Sequence, residues 1–212
     1  MKPIKLKICG VTSPAEAKQL SELKVDYIGL NFIPSSSRCI SLKTAGLIMK
    51  ELSGSDAKTV GLFAGFKAHE VNNYAQRLGL DYVQLHGSEP ADYAKQIKTP
   101  VIRAIAVDPD SSAYDLIRFI DSYPAGFFVL DRPVQGQGDT VNIELASKII
   151  SARQDKIFLA GGLGPNNLKD VLGLTRPYGI DIANGVRDND NNLDITKVMQ
   201  CLAILADLFG TF

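Results

Sequence analysis

Eight short β-like runs, each followed by a helix-length amphipathic stretch, predict an α/β fold: a (β/α)8 TIM barrel built on one parallel eight-stranded sheet. Two further observations favour a closed barrel over an open doubly wound sheet. Eight is the strand number that closes such a ring. The glycine-rich turns follow the seventh and eighth runs, whereas a doubly wound sheet usually carries its phosphate loop after an early strand. No long Pro/Gly/Ser linker interrupts the series, so residues 1–212 are expected to form a single domain.

The predicted strands are Ile4–Ile8, Tyr27–Asn31, Thr59–Phe63, Tyr82–Leu85, Val101–Ala104, Phe127–Leu130, Ile157–Ala160 and Gly179–Ile182. The first helix, Pro14–Leu23, has Ser13 as its N-cap, Pro14 at the first helical position and Glu16 three residues beyond the cap. The second and third are Thr44–Leu52 and Ala68–Leu78, the latter stopped by Gly79. Pro90–Ile97, Ser112–Ile120 and Ile143–Ala152 follow the next three strands. The seventh, Asn166–Leu172, has Asn166 and Asn167 as capping candidates, and Ile195–Phe209 closes the chain.

Composition excludes several functions. Lys+Arg and Asp+Glu both total 23, a formal net charge of zero, so no basic field is available to hold a nucleic-acid backbone. Local phosphate binding stays open, because backbone N–H groups suffice for it. The first ten residues alternate Lys with aliphatics and build no secretory signal, and apolar runs such as Gly126–Leu130 are too short to span a bilayer. The three cysteines, Cys9, Cys39 and Cys201, lack framework spacing and fit free thiols in a reducing cytoplasm. Two histidines are too few for a His-rich metal site.

In a barrel, chemistry sits at the C-terminal strand ends, and side chains alternate across each strand. That parity turns Lys7 and Cys9 inward on the first strand and Val129 and Asp131 inward on the sixth. It also brings Asn31, Gln84, His86 and Asp181 to the mouth. A thiol becomes a fair general base when a neighbouring ammonium lowers its pKa, and Lys7 is placed to do so; the alternative is a small buried hydrophobe. A carboxyl such as Asp131 at a buried strand end is suited to acid catalysis; the alternative is a loop cap bonded near Gly136–Gly138. Leu159-Ala-Gly-Gly-Leu163 and Asp181-Ile-Ala-Asn-Gly-Val186 end the last two strands, and paired glycines there admit a phosphate or form ordinary tight turns. Arg38, after the second strand, is either a carboxylate clamp or a solvated loop residue. His86 is either a ligand contact or an organiser of the rim. His69, Cys39 and Cys201 are read as surface or structural residues.

Together these stretches resemble the phosphoribosylanthranilate isomerase family. The matching motifs, in family order, are Lys7-Ile-Cys-Gly10, Gly29-Leu-Asn-Phe32 with Pro34 to Arg38, and Val60-Gly-Leu-Phe63. They continue through Tyr82-Val-Gln-Leu-His-Gly-Ser-Glu89, Val129-Leu-Asp131, Leu159-Ala-Gly-Gly-Leu-Gly-Pro165 and Gly179-Ile-Asp-Ile-Ala-Asn-Gly-Val186. The resemblance implies a (β/α)8 barrel that catalyses an Amadori rearrangement of a phosphoribosyl substrate without metal or organic cofactor, as a monomer or homodimer. It implies Asp131 as the acid that opens the ring and Cys9 as the base at the sugar C2. Arg38 would hold the anthranilate carboxylate, with Lys7, His86 and Asp181 lining the substrate. Gly161, Gly162, Asn184 and Gly185 would cradle the phosphate.

The chain departs from the family pattern at three places. Gln135-Gly-Gln-Gly-Asp139 replaces a Gly-Gly-Thr-Gly-like loop, Ala183-Asn184 replaces a pair of serines, and Arg187 stands where an acidic residue is common. The related histidine-pathway isomerase fits less well, since it would carry an aspartate in place of Cys9 and a second phosphate loop, of which Phe63-Ala-Gly-Phe66 is a partial echo. Indole-glycerol-phosphate synthase would need a longer N-terminal extension. A paralogue that binds a phosphoribosyl metabolite without turnover is the alternative from another class.

Overall fold

A computed structural model describes residues 3–108, 110–133 and 141–210. The strands are β1 (Lys5–Cys9), β2 (Tyr27–Asn31), β3 (Lys58–Phe63), β4 (Tyr82–Leu85), β5 (Val101–Ala106), β6 (Phe127–Asp131), β7 (Ile157–Leu159) and β8 (Gly179–Ile182). They pair in chain order as a closed barrel. The helices are α1 (Pro14–Glu22), α2 (Leu42–Glu51), α3 (Ala68–Leu78), α4 (Ala91–Ala94), α5 (Ala113–Ser122), α6 (Ile143–Arg153), α7 (Leu168–Leu174) and α8 (Ile195–Phe209). The expected architecture is present, and every strand lies where periodicity placed it to within two residues.

Helix starts follow their caps. Ser13 Oγ accepts from Glu16 N at 3.2 Å, and the Glu16 carboxylate accepts from Thr12 N and Oγ1 at 2.6 and 3.1 Å. The second helix begins at Leu42, earlier than the predicted Thr44, because Ser41 Oγ captures Thr44 N at 3.0 Å and serves as the cap. Gly79 ends α3 in the left-handed region, as its position predicted. The fourth helix is shorter than the expected Pro90–Ile97. After Ala94 the chain tightens into bonds three residues apart, and Asn72 on α3 then takes over: its Nδ2 donates to Gln96 O at 2.9 Å and its Oδ1 accepts from Lys98 N at 2.9 Å. A neighbouring helix outcompetes local propensity there.

The chain divides into two compact units. One comprises Lys7–Ala104 with Pro124–Phe127. In it β2, β3 and β4 run in parallel register, Gly29 opposite Val60 and Gly61 opposite Val83. Phe32 stacks on Phe63 at 5.1 Å, and Tyr74 of α3 meets both rings edge-on. At the far end of these strands Asp81 Oδ2 accepts from Thr59 N and Oγ1, both at 2.9 Å. Burial acts to raise the Asp81 pKa, but these bonds and Lys58 outweigh it and hold the carboxyl below its ordinary value.

The other unit comprises Met1–Leu6, Ile105–Tyr123 and Phe128–Phe212. Lys5 N donates to Tyr178 O at 3.0 Å at the foot of β8, and β7 pairs with β8 through Phe158 opposite Gly179. Helix α6 buries Leu145, Ala146, Ile149 and Ile150, and α8 buries Val198, Cys201 and Leu205. Each large aliphatic side chain so removed from water contributes about 1.5–3 kcal/mol. Burial also pushes the Cys201 thiol up to about 12, in keeping with a structural role. Among the described residues, no helix is long and apolar enough to cross a membrane.

Candidate active site

In the first unit the site is built around Cys9, which ends β1 almost wholly buried opposite Gly29 of β2. The next residue, Gly10, turns the chain with φ +78°, and its N–H and that of Val11 both donate to Gly29 O, at 2.9 and 3.0 Å. A Cβ on Gly29 would lie 3.0 Å from Cys9 Sγ, so the missing side chain leaves the thiol its room. Lys7 is fully buried, two residues back along the same strand.

Arg38 belongs to the loop that β2 feeds, and Asn31 organises that loop. Asn31 Oδ1 accepts from Ile33 N at 2.8 Å while its Nδ2 donates to Ser36 Oγ at 3.0 Å, and Ser36 Oγ accepts from Arg38 N at 3.2 Å. The Arg38 side chain lies across Gly10: a Cβ there would meet Nε at 2.5 Å and Cδ at 2.6 Å. The solvated-loop reading of Arg38 therefore gives way to a packed, half-buried arm beside the cysteine turn.

At the end of β4, Gln84 is buried and its Nε2 lies 3.3 Å from His86 Nδ1. Motif reading did not assign a role to the pair that holds this corner. Glu89 Oε2 accepts from Arg103 Nη1 at 2.8 Å and from Gly87 N at 3.0 Å, and Glu89 Oε1 accepts from Gly65 N at 3.1 Å. Arg103 Nη2 donates to Gly87 O at 2.7 Å. An arginine on an otherwise apolar β5, Val-Ile-Arg-Ala-Ile-Ala, was the available signal: a charge there must be paired. His69 is exposed, as expected.

In the second unit Asp131 ends β6, half-buried, with its backbone carbonyl accepting from Val107 N at 2.8 Å and its Oδ1 from Arg132 N at 2.8 Å. Residues 134–140, including Gly136–Gly138 and the Gln135–Asp139 departure, lie outside the described residues. Gly161 packs directly on Asp131, since a Cβ there would lie 3.2 Å from Oδ1 and 3.0 Å from Arg132 N. Asp181 is buried on β8.

Gly161 and Gly162 are consecutive left-handed residues, φ +87° and +73°, which aim the backbone in a way side-chain-bearing residues resist. Asn167 was expected as a helix cap. It does occupy the N-cap position of α7, but its side chain makes no cap bond and serves as a staple: Nδ2 donates to Gly162 O at 2.9 Å and Oδ1 accepts from Gly164 N at 3.0 Å. No described residue accepts from the N–H of Gly162. Gly185 follows β8 so closely under this loop that a Cβ would sit 1.9 Å from Leu163 O. Between the two loops is a cavity of about 270 Å³ lined by Gly162, Gly164, Asn184, Gly185 and Lys197, among others.

Lys197 was not singled out from the sequence. It sits in the first turn of α8, where the helix dipole disfavours a cation, and that anomaly was its signal. Its Nζ donates to Arg187 O at 2.5 Å, which brings an ammonium to the cavity wall. Arg187 itself is buried, with Nη1 3.5 Å from Asn191 O. Among the described residues, no cluster of His, Cys, Asp and Glu could hold a metal ion.

A closed (β/α)8 barrel with ionisable side chains at strand ends and a glycine-walled cavity between the β7 and β8 loops is the architecture of phosphate-handling barrel enzymes. The family model for N-(5'-phosphoribosyl)anthranilate (PRA) isomerase matches residues 6–203, and the chain belongs to that family. It is 32% identical over 205 residues to N-(5'-phosphoribosyl)anthranilate isomerase of Pelobacter propionicus, covering 95% of each chain. The crystal structure of phosphoribosyl anthranilate isomerase from Thermus thermophilus superposes with a TM-score of 0.86 at 30% identity, covering 97% of this chain and 100% of that one. Another phosphoribosyl anthranilate isomerase structure holds reduced 1-(o-carboxyphenylamino)-1-deoxyribulose 5-phosphate; its TM-score is 0.80 at 27% identity, covering 96% of this chain and 99% of that one.

Proposed function

We propose that this protein converts N-(5-phosphoribosyl)anthranilate to 1-(2-carboxyphenylamino)-1-deoxyribulose 5-phosphate, an Amadori rearrangement of cytoplasmic tryptophan biosynthesis carried out by one barrel domain. The observation that carries the reading is the Arg38 arm lying on Gly10, the residue after Cys9: a carboxylate-binding group beside a thiol. The bound analogue of the related isomerase pairs such a carboxylate with a phosphate, the anion the cavity between the β7 and β8 loops suits.

Asp131 protonates the furanose ring oxygen, the C1–O bond breaks, and the anilino nitrogen lone pair forms the iminium. The iminium then makes the C2 proton acidic, Cys9 removes it, and the resulting enolamine tautomerises to the ketone. Electrons move only within the substrate, so the chemistry needs no external redox partner. Lys7 supplies a positive field to the thiol, and His86 and Asp181 contact the sugar. Gly161, Gly162, Asn184 and Gly185 hold the phosphate, with Lys197 adding charge behind them. The purified protein should consume the fluorescence of phosphoribosylanthranilate generated in situ. Binding of the reduced product analogue with no such loss would favour a non-catalytic paralogue instead.

A further inference from the structure

We infer that Gly10 is a positioning residue for the reaction: its bare Cα is the seat of the Arg38 side chain, and it sets where the guanidinium stands relative to the thiol. The inference rests on the proposed roles of Arg38 and Cys9, and it assigns the work of aligning them to a residue with no functional group.

Three observations within one unit support it. Gly10 follows Cys9 directly, and its N–H and that of Val11 both donate to Gly29 O, so its position is fixed with that of the thiol. A methyl at Gly10 would occupy the space now filled by Arg38 Nε and Cδ, at 2.5 and 2.6 Å, while Arg38 Cβ would be 3.4 Å away. The backbone of Arg38 is held from the other side by Asn31 through Ser36 Oγ. An added Cβ therefore cannot push the loop away as a whole. It displaces the outer half of the arginine arm, the part that faces a substrate carboxylate. Because positioned groups lose effectiveness steeply over displacements of about 1 Å, the consequence falls on binding of the anthranilate end.

A double-mutant cycle on the full-length protein tests this, with KM and kcat from the fluorescence assay and thermal midpoints for each variant. Arg38→Ala should raise KM about tenfold or more, the usual scale for losing a charge-assisted carboxylate contact. Gly10→Ala should raise KM by a similar factor with a smaller change in kcat. In the double variant the KM should match Arg38→Ala alone, since no arm remains to be displaced. Gly10→Asn, which tolerates the left-handed region better and brings the same Cβ, replaces Gly10→Ala if that chain fails to fold. Should KM rise with Arg38→Ala but the two effects multiply in the double variant, or should folded Gly10→Ala or Gly10→Asn keep the original KM, the seat is refuted while the role of Arg38 stands. An Arg38→Ala variant with unchanged KM, or an unmutated protein without turnover, would remove the parent reading and the seat with it.

Discussion

Two glycines frame the thiol, one beneath the arginine arm and one across the strand. Gly29 faces Cys9 so closely that an added Cβ would stand 3.0 Å from Sγ and 3.1 Å from Cα, closer than most carbon contacts allow. Gly29→Ala should therefore shift the thiol by tenths of an ångström and lower kcat about tenfold, with affinity for the reduced product analogue unchanged. An unaltered kcat would mean that the thiol has slack or is not the base. At this scale the motif residues were legible as types: Cys9 and Asp131 stand at strand ends that parity identifies, and Arg38 stands in the segment that follows β2. Their seats were not. Which atoms a glycine lets approach depends on a neighbouring strand or loop, and no spacing within one segment encodes that.

Elements were legible where local signals agreed with tertiary demand. Ser13, Gly79 and the apolar strand runs all did their expected work. The length of α4 and the side-chain partners of Asn167, which does sit at the N-cap of α7, escaped for one reason: a polar side chain finds its partner outside its own element, Asn72 closing α4 and Asn167 stapling Gly162 to Gly164. The Glu89–Arg103 pair belongs to this scale too, since it ties the loops after β3 and β4 to β5 through Gly65 and Gly87. Both side chains are about nine-tenths buried, so removing one strands the other's charge. Glu89→Ala is expected to cost about 3–5 kcal/mol of unfolding free energy by urea titration. A loss below about 1 kcal/mol, the range of exposed pairs, would show that the bracing is not what holds these loops.

For the whole molecule, the eight strands close in chain order and the family match spans residues 6–203, so fold and family rest on nearly the entire chain. Stability should follow the same chemistry. Cys201 is pushed from 9.0 up to about 12 by burial, so the native state holds a thiol proton that the unfolded chain releases at lower pH. Its contribution is intact below pH 9 and declines as pH rises toward about 12. Cys201→Ala should flatten that part of the alkaline unfolding curve, and an unchanged slope would show that another group governs it. In the proposed reaction one thiol and one carboxyl carry the proton transfers. Single-turnover fluorescence decay of phosphoribosylanthranilate, compared in the unmutated protein, Cys9→Ala and Asp131→Asn at matched analogue binding, tests it most directly. Each substitution should slow the decay about 10²- to 10⁴-fold while the analogue still binds. Decay at the unmutated rate in either variant would contradict it.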